Sequence, residues 1–398
     1  MPLHDPVHAF VPYPDVPVAH AATGPLFGLG FGVKDLFDVA GYPTGGGGPT
    51  VLAMSGIKTR TAPTVQRLLD AGSRFVGKTV TDELAFSMNG NNAHFGAPTN
   101  GAAPERIMGG SSSGSASAVS SGLCEFALWT DTGGSVRAPA NHCGLYGLRP
   151  THGRISLEGV LDLAPSLDTC GWFARDIATF ARVADVLLGA DAVALPERIR
   201  LLRPDDLWAL AMPAAAEALR SAARPVEAAL GEARGTTVTL ESTDAMYWNY
   251  RYIQGREAWL TDGPLIERYA PPLGPGVAER FAWSRTVTDA QFDAGCRFRT
   301  AFRDHLTALL GDDGVLVLPT MPDIAPPRTE PETGLESYRN QAIRMLCVAG
   351  LSGFPQLSMP LGQRDGAPLG LSLLGPPGSD HALVRLAQRI VSASGTAT

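Results

Sequence analysis

The chain has 398 residues, of which 44% are apolar and 18% charged, and its net charge is −7. This is the composition of a folded protein, and it excludes a disordered chain. The acidic balance without a basic stripe disfavours a nucleic-acid partner, and no apolar run reaches the roughly 18 residues of a membrane helix. The five cysteines favour reduced thiols, and the start of the chain is unlike a signal peptide, so we expect a cytoplasmic protein with no membrane partner.

The first half of the chain alternates short strands and helices. Apolar residues at helical spacing, β-rich runs and glycine or proline punctuation define these segments. In chain order they are a strand and turn over 28–40, a helix over 61–72, a strand over 74–78, a short helix over 82–88, a loop over 89–110, a helix over 116–123, a strand over 125–130 and a helix over 176–189.

The second half is more helical at first and then returns to strands. The predicted elements are helices over 203–235 broken at Pro213 and Pro225, a strand over 236–240, helices over 244–310, a central strand over 314–320, two late strands and a closing helix over 381–393. Strands and helices alternate along the whole chain, so the predicted class is α/β.

A phosphate-loop pattern occurs at Gly72 to Thr79, where GSRFVGKT matches G-x-x-x-x-G-K-[ST]. In that interpretation Lys78 would contact nucleotide phosphates. The pattern should follow a strand, however, and here a helix precedes it. We therefore favour a helix end followed by a structural strand, and a nucleotide-binding protein is a remote alternative.

A second pattern, GSSSG at Gly110 to Gly114, matches the G-x-S-x-G nucleophile elbow with Ser112 at its centre. The elbow needs a buried strand immediately before it. The preceding residues, NGAAPERIM, are typical of a loop, so the sequence gives this interpretation little support.

The third pattern combines two distant segments. The segment DTGGS follows a predicted buried strand, and its paired glycines allow a tight turn that presents Ser135 beside outward N–H groups. A serine nucleophile needs a base. Lys34 lies in the apolar segment GFGVKDLF and is one of only three lysines among 32 basic residues. Burial would lower its pKa, and a neutral lysine can act as the base in a Ser-Lys arrangement.

These residues resemble a known family. GGSSSGS followed by DTGGSVR-x-P is similar to the signature of the amidase signature family. The resemblance implies a central mixed β-sheet with helices on both faces. It implies one domain over 1–398, with a catalytic core over about 28–190 and 314–392 and a variable helical middle region over about 191–313. It also implies that neither a metal nor an organic cofactor is used.

The resemblance further implies a Ser-cisSer-Lys triad. The nucleophile falls on Ser135, the base on Lys34 and the bridging serine, which follows a cis peptide bond, on Ser111. Ser112 and Ser113 stay open as rivals of Ser111. The oxyanion hole falls on the backbone N–H groups of the turn, which are those of Thr132, Gly133, Gly134 and Ser135.

Three further assignments follow from the same resemblance. Asp131 and Arg137 are expected to brace the turn, although Arg137 could instead bind a substrate carboxylate. A loop that includes Ser87, Met88 and Asn89 is expected to line the substrate site. The implied function is hydrolysis of a small aryl or alkyl carboxylic amide to carboxylate and ammonia. An ammonia-generating amidotransferase subunit is the alternative, and a homodimer stays open.

Overall fold

A computed structural model describes residues 4–394 of the chain. Its strands, in chain order, are β1 Gly30–Lys34, β2 Arg74–Thr79, β3 Phe126–Asp131, β4 Tyr146–Arg149, β5 Thr169–Ala174, β6 Arg200–Pro204, β7 Arg234–Thr236, β8 Gly314–Pro319, β9 Gln356–Arg364 and β10 Ala367–Leu374.

The helices lie between and after these strands. They are α1 Pro49–Ser55, α2 Pro63–Asp70, α3 Ser113–Ser120, α4 Arg137–Cys143, α5 Ile177–Leu187, α6 Asp205–Trp208, α7 Pro213–Leu230, α8 Thr243–Tyr269, α9 Val277–Thr286, α10 Asp289–Leu310, α11 Glu332–Ser352 and α12 Asp380–Ala393. None of the helices within residues 4–394 is long and apolar enough to cross a membrane.

All ten strands of the described residues form one mixed sheet, in the order β2-β1-β3-β5-β4-β9-β10-β8-β6-β7. The two ends of the sheet are parallel: β1 pairs in parallel with β2 and β3, and β6 pairs in parallel with β7 and β8. The middle is antiparallel, from the β3–β5 pair to the β10–β8 pair. The predicted mixed sheet is thus confirmed.

Helices cover both faces of the sheet, as the alternation of side chains along β8 shows. Val315 and Val317 pack into a core cluster that includes residues of α7 and α12. Leu316 and Leu318, which point to the other face, pack with residues of α8, α10 and α11. β8, which the run GVLVLP predicted as a central strand, is therefore apolar on both faces.

Parallel pairing brings distant parts of the sequence to one edge of the sheet. In β1 and β3, Phe31 pairs with Phe126 and Val33 with Leu128. Both strands run in the same direction, so Lys34 at the end of β1 lies near the end of β3. The carboxyl ends of adjacent parallel strands are where α/β proteins gather ligand-binding groups.

Several local predictions need correction. The expected short helix over 82–88 is a single 3₁₀ turn at Glu83–Ala85, because Leu84 and Ala85 take left-handed backbone angles. The predicted break at Pro213 is confirmed, since α6 ends at Trp208 and α7 begins at Pro213, but Pro225 does not break a helix. Pro213 begins α7, where no N–H donor is needed, and Pro225 lies inside it, where the carbonyl it leaves free belongs to the exposed residue Ser221.

The middle region also contains strands where helix was expected. β6 begins at Arg200 and pairs with β8, and the predicted strand over 236–240 is instead the short β7 at Arg234–Thr236. A five-residue strand in a charged segment gives no clear periodicity, so only its pairing with β8 defines it.

Candidate active site

Lys34 is fully buried at the carboxyl end of β1. Its Nζ donates hydrogen bonds to Ser111 Oγ, 2.8 Å away, and to Thr130 Oγ1, 3.1 Å away. Burial lowers the pKa of Lys34 to about 7, against the opposing negative charges of acidic residues nearby. A lysine that loses its proton near neutral pH can accept one from a hydroxyl.

Ser111 lies in the loop before α3 and follows a cis peptide bond from Gly110. Its Oγ is 3.1 Å from Ser135 Oγ, so the hydroxyl links Lys34 to Ser135. The two rival serines lie elsewhere: Ser112 Oγ donates to Thr130 O and Ser113 Oγ to Val80 O. The structure therefore brings Lys34, Ser111 and Ser135 together in one chain of contacts.

Ser135 ends the turn that follows β3, and its side chain is 6% exposed. Gly134 has a φ of +123°, which favours glycine, and an added Cβ would lie 2.4 Å from Leu346 Cδ1. The paired glycines thus allow the chain to turn tightly between β3 and α4 and to present the Ser135 hydroxyl.

The N–H groups of this turn have different partners. The Gly134 N–H donates to Asp131 Oδ1 at 2.9 Å. Within residues 4–394, the structure records no acceptor for the N–H of Thr132, Gly133 or Ser135. The Thr132 hydroxyl donates to Asp168, and the Thr132 carbonyl accepts from the Tyr250 hydroxyl at 3.0 Å. The N–H groups of Thr132, Gly133 and Ser135 are therefore available to bind an oxygen, whereas that of Gly134 is not.

Asp131 holds the base of the turn through two buried arginines. Arg137 donates to both of its carboxylate oxygens, at 2.9 and 3.0 Å, and Arg149 donates to Oδ1 at 2.9 Å. Burial alone would raise the pKa of the Asp131 carboxyl, but the charges and hydrogen bonds of the two arginines together hold it well below its usual range. Asp131 and Arg137 thus form the expected pair.

Within the described residues, four of the five N–H donors of Arg137 have protein acceptors. Its Nη1 donates to Leu346 O and to Gln356 Oε1, each at 2.7 Å, and its side chain is fully buried. These contacts tie the turn to α11 and β9. They favour the bracing interpretation of Arg137 over the carboxylate-binding one.

A narrow cleft of about 10 Å³ lies beside Ser135. Ser87 and Met88 line it, as expected, whereas Asn89 does not. The remaining lining residues come from the turns at 85–86 and 132–133 and from two helices, and they are Ala85, Phe86, Thr132, Gly133, Gln254, Arg339 and Ile343.

Comparison with known proteins agrees with this geometry. A family profile described as Amidase matches residues 15–210 and 269–384. The chain belongs to the amidase signature family. Amidase 1 of Arabidopsis thaliana is 38% identical, over 92% of this chain and 93% of the relative. Outer envelope protein 64, chloroplastic, of the same plant is 34% identical, over 94% of this chain and 68% of the relative.

A solved structure of the family has the same fold. A crystal structure described as that of an amidase superposes with a TM-score of 0.83 at 30% identity, and covers 93% of this chain and 85% of that one. The amidase signature fold thus accounts for nearly the whole of this chain, including the parallel β1–β3 pair that carries Lys34.

Sequence patterns missed the residues whose roles depend on distant contacts. Arg149 ends β4 in the segment GLRP, and only the pairing of that strand brings it to Asp131. Gln254 and Arg339 come from α8 and α11, which no motif of the amidase signature family marks. Tyr250 of α8 lies behind the turn and does not line the cleft.

Lys78 has a structural position. It lies in β2, is almost fully buried, and pairs with Asp35 at 2.8 Å. Gly72 to Thr79 therefore runs from a helix end into a strand, as favoured above, and it does not form a phosphate-binding loop. A fold that places this segment in an edge strand of an amidase signature sheet removes the nucleotide-binding alternative.

Proposed function

We propose that this chain hydrolyses a small aryl or alkyl carboxylic amide to a carboxylate and ammonia, through an acyl-enzyme on Ser135. The observation that carries the proposal is the buried chain of contacts from Lys34 Nζ through Ser111 Oγ to Ser135 Oγ, with steps of 2.8 and 3.1 Å. Membership of the amidase family supports it.

The proton relay follows from the chemistry of the three groups. Each serine hydroxyl can donate or accept, so the hydrogen bonds can run from Ser135 to Ser111 to Lys34 when the amine is neutral. As Ser135 Oγ attacks the amide carbonyl carbon, its proton passes to Ser111, whose own proton passes to Lys34. The base ends as an ammonium and the substrate as a tetrahedral oxyanion.

The turn supplies the donors for that oxyanion. The free N–H groups of the turn can bind it, while the Gly134 N–H holds Asp131 and so fixes the turn. Collapse of the intermediate breaks the C–N bond, and the proton on Lys34 returns through Ser111 to the departing nitrogen, which leaves as ammonia. Water then attacks the ester by the same relay and releases the carboxylate and Ser135.

The decisive experiment is ammonia release by the purified chain on arylacetamides, aliphatic amides and glutamine. Ser135→Ala and Lys34→Ala should each abolish turnover, whereas Ser112→Ala, which changes a neighbouring buried serine outside the relay, should retain it. Wild-type rates in Ser135→Ala would refute the mechanism. Turnover confined to glutamine, or none without an added subunit, would favour an amidotransferase subunit.

A further inference from the structure

Three buried arginines lie together on helices that flank the cleft. They are Arg251 of α8, Arg280 of α9 and Arg339 of α11, and each is at most 7% exposed. Each comes from a different helix, so the group forms only when the three helices pack. No sequence motif predicts it.

This arginine group has too few negative partners. Glu336 is the one carboxylate in the described residues that pairs with it, at 3.2 Å from Arg339 and 3.3 Å from Arg280, and its own side chain is 36% exposed. Arg251 donates to the Tyr247 hydroxyl and stacks on Trp283. Asp82 and Glu332 act on Arg280 from beyond pairing distance, so the three guanidinium groups have one directly paired carboxylate among them.

Two donor atoms of the group have no acceptor. Within residues 4–394, Nε of Arg339 and Nε of Arg251 are buried without a hydrogen-bond partner. Buried charges are normally paired, because burial of an unpaired ion is unfavourable. Burial and the charge of Arg339 also lower the pKa of Arg280, to about 9. The incomplete pairing of the three guanidinium groups is therefore unfavourable for the protein without a bound anion.

The arginine group adjoins the proposed reaction centre. Arg339 lines the same cleft as Ser135 and Gly133. Arg280 Nε donates to Phe86 O at 2.6 Å, and Phe86 is another residue of the cleft wall. The arginines around Asp131 differ, since their charge faces a fully buried carboxylate.

We propose that the amide substrate carries a carboxylate on its acyl part, and that Arg339 binds this carboxylate in the cleft beside Ser135. The inference rests on the proposed function and narrows its substrate to amides of dicarboxylic acids. A planar guanidinium with unpaired donors suits a carboxylate, which it can bind through two hydrogen bonds. Binding there supplies a directly paired negative charge and fixes the amide relative to the nucleophile.

The test compares amides that differ only in the carboxylate. Suitable pairs are succinamate with butanamide, glutaramate with pentanamide, and para-carboxyphenylacetamide with phenylacetamide. At least one carboxylate amide should have a kcat/KM about tenfold or more above that of its neutral partner. Arg339→Gln should lower that kcat/KM, mainly through KM, by about tenfold or more beyond its effect on the neutral amide.

Two variants control for structure. Arg339→Lys keeps the charge but loses the planar fork, so its KM for the carboxylate amide should lie between wild type and Arg339→Gln. Arg220→Gln removes the same charge from an exposed position on α7 and should leave both members of each pair unchanged. An equal loss on charged and neutral amides in Arg339→Gln would assign Arg339 a structural role and overturn the proposal.

Binding to a Ser135→Ala background separates this inference from the proposed function. Calorimetry should show that the carboxylate amide binds and that Arg339→Gln removes the binding, whether or not the wild type releases ammonia. No Ser135-dependent ammonia from any amide would overturn the proposed function. Equal or weaker binding and turnover of every carboxylate amide, relative to its neutral partner, would overturn the inference alone.

Discussion

Replacing Lys34 by methionine should abolish turnover and yet stabilise the folded protein at neutral pH. The fully buried amine has a pKa of about 7, against 10.5 for an ordinary lysine, mainly because burial disfavours its charged form. Methionine has a similar volume and no charge, so it fills the space without that penalty.

The magnitude follows from the difference in pKa between the two states. Each pKa unit corresponds to about 1.4 kcal/mol, so at pH 7 the buried Lys34 amine costs the fold about 4 kcal/mol. Methionine also removes the hydrogen bonds to Ser111 and Thr130, each worth about 1 kcal/mol. The free energy of unfolding of Lys34→Met should thus exceed that of wild type by about 2 kcal/mol.

The pH dependence of the difference in unfolding free energy tests whether the neutral Lys34 amine is its cause. Between pH 7 and 10.5 the unfolded chain holds a proton on Lys34 that the folded chain has lost, so unfolding takes up a proton. This group therefore makes the wild type more stable as pH rises through that window, and the advantage of Lys34→Met should shrink toward zero and then reverse.

Urea unfolding of the two proteins at several pH values between 7 and 10 measures this difference directly. Lys58→Met provides the baseline, because Lys58 forms a partly exposed pair with Asp38 far from the relay. A wild type more stable than Lys34→Met at pH 7, or a difference that stays constant with pH, would refute the claim that burial keeps this amine neutral.

Three other predictions concern the same centre. The kcat/KM of the wild type should rise with pH to a plateau above about pH 7 and be about tenfold lower at pH 6, because Lys34 must be neutral; a profile flat from pH 5 to 8 would contradict this role. Ser111→Ala should lose at least about a hundredfold in kcat while Ser112→Ala stays near wild type, as stopped assays of ammonia would show. Arg149→Gln should lower the free energy of unfolding by about 3 kcal/mol or more, since it leaves Asp131 with one guanidinium partner, and unchanged urea midpoints would contradict it.

The sequence predicted those parts of the candidate active site whose residues lie close together along the chain. DTGGS contains its own turn, because the glycines, the serine and the aspartate that accepts the Gly134 N–H lie within five residues. Ser111 could be ranked above its neighbours only through the resemblance, since GSSSG offers three chemically identical hydroxyls. The backbone conformation of the loop decides which one points at Lys34, and no spacing rule encodes it.

The parts that sequence did not predict depend on contacts between distant elements. Arg149 reaches Asp131 because β4 and β3 both pair with β5, and Arg339 reaches the cleft because α11 packs against α8. The segment at 82–88 shows a further limit: helix propensity predicted a helix, whereas tertiary packing gives Leu84 and Ala85 left-handed angles. Helix propensity therefore predicts secondary structure poorly where the tertiary contacts of a binding site determine the backbone conformation.

The buried charged groups behind Ser135 carry a net positive charge. Asp131 carries one negative charge against the two positive charges of Arg137 and Arg149, so this buried group is net positive just behind the turn. The positive charge favours the oxyanion on the turn N–H groups, whereas the negative charge of Asp131 favours the ammonium of Lys34 and is outweighed by burial of the amine. Burial thus keeps the base neutral for proton transfer, and the buried arginines behind the turn favour the negative charge that the transfer creates.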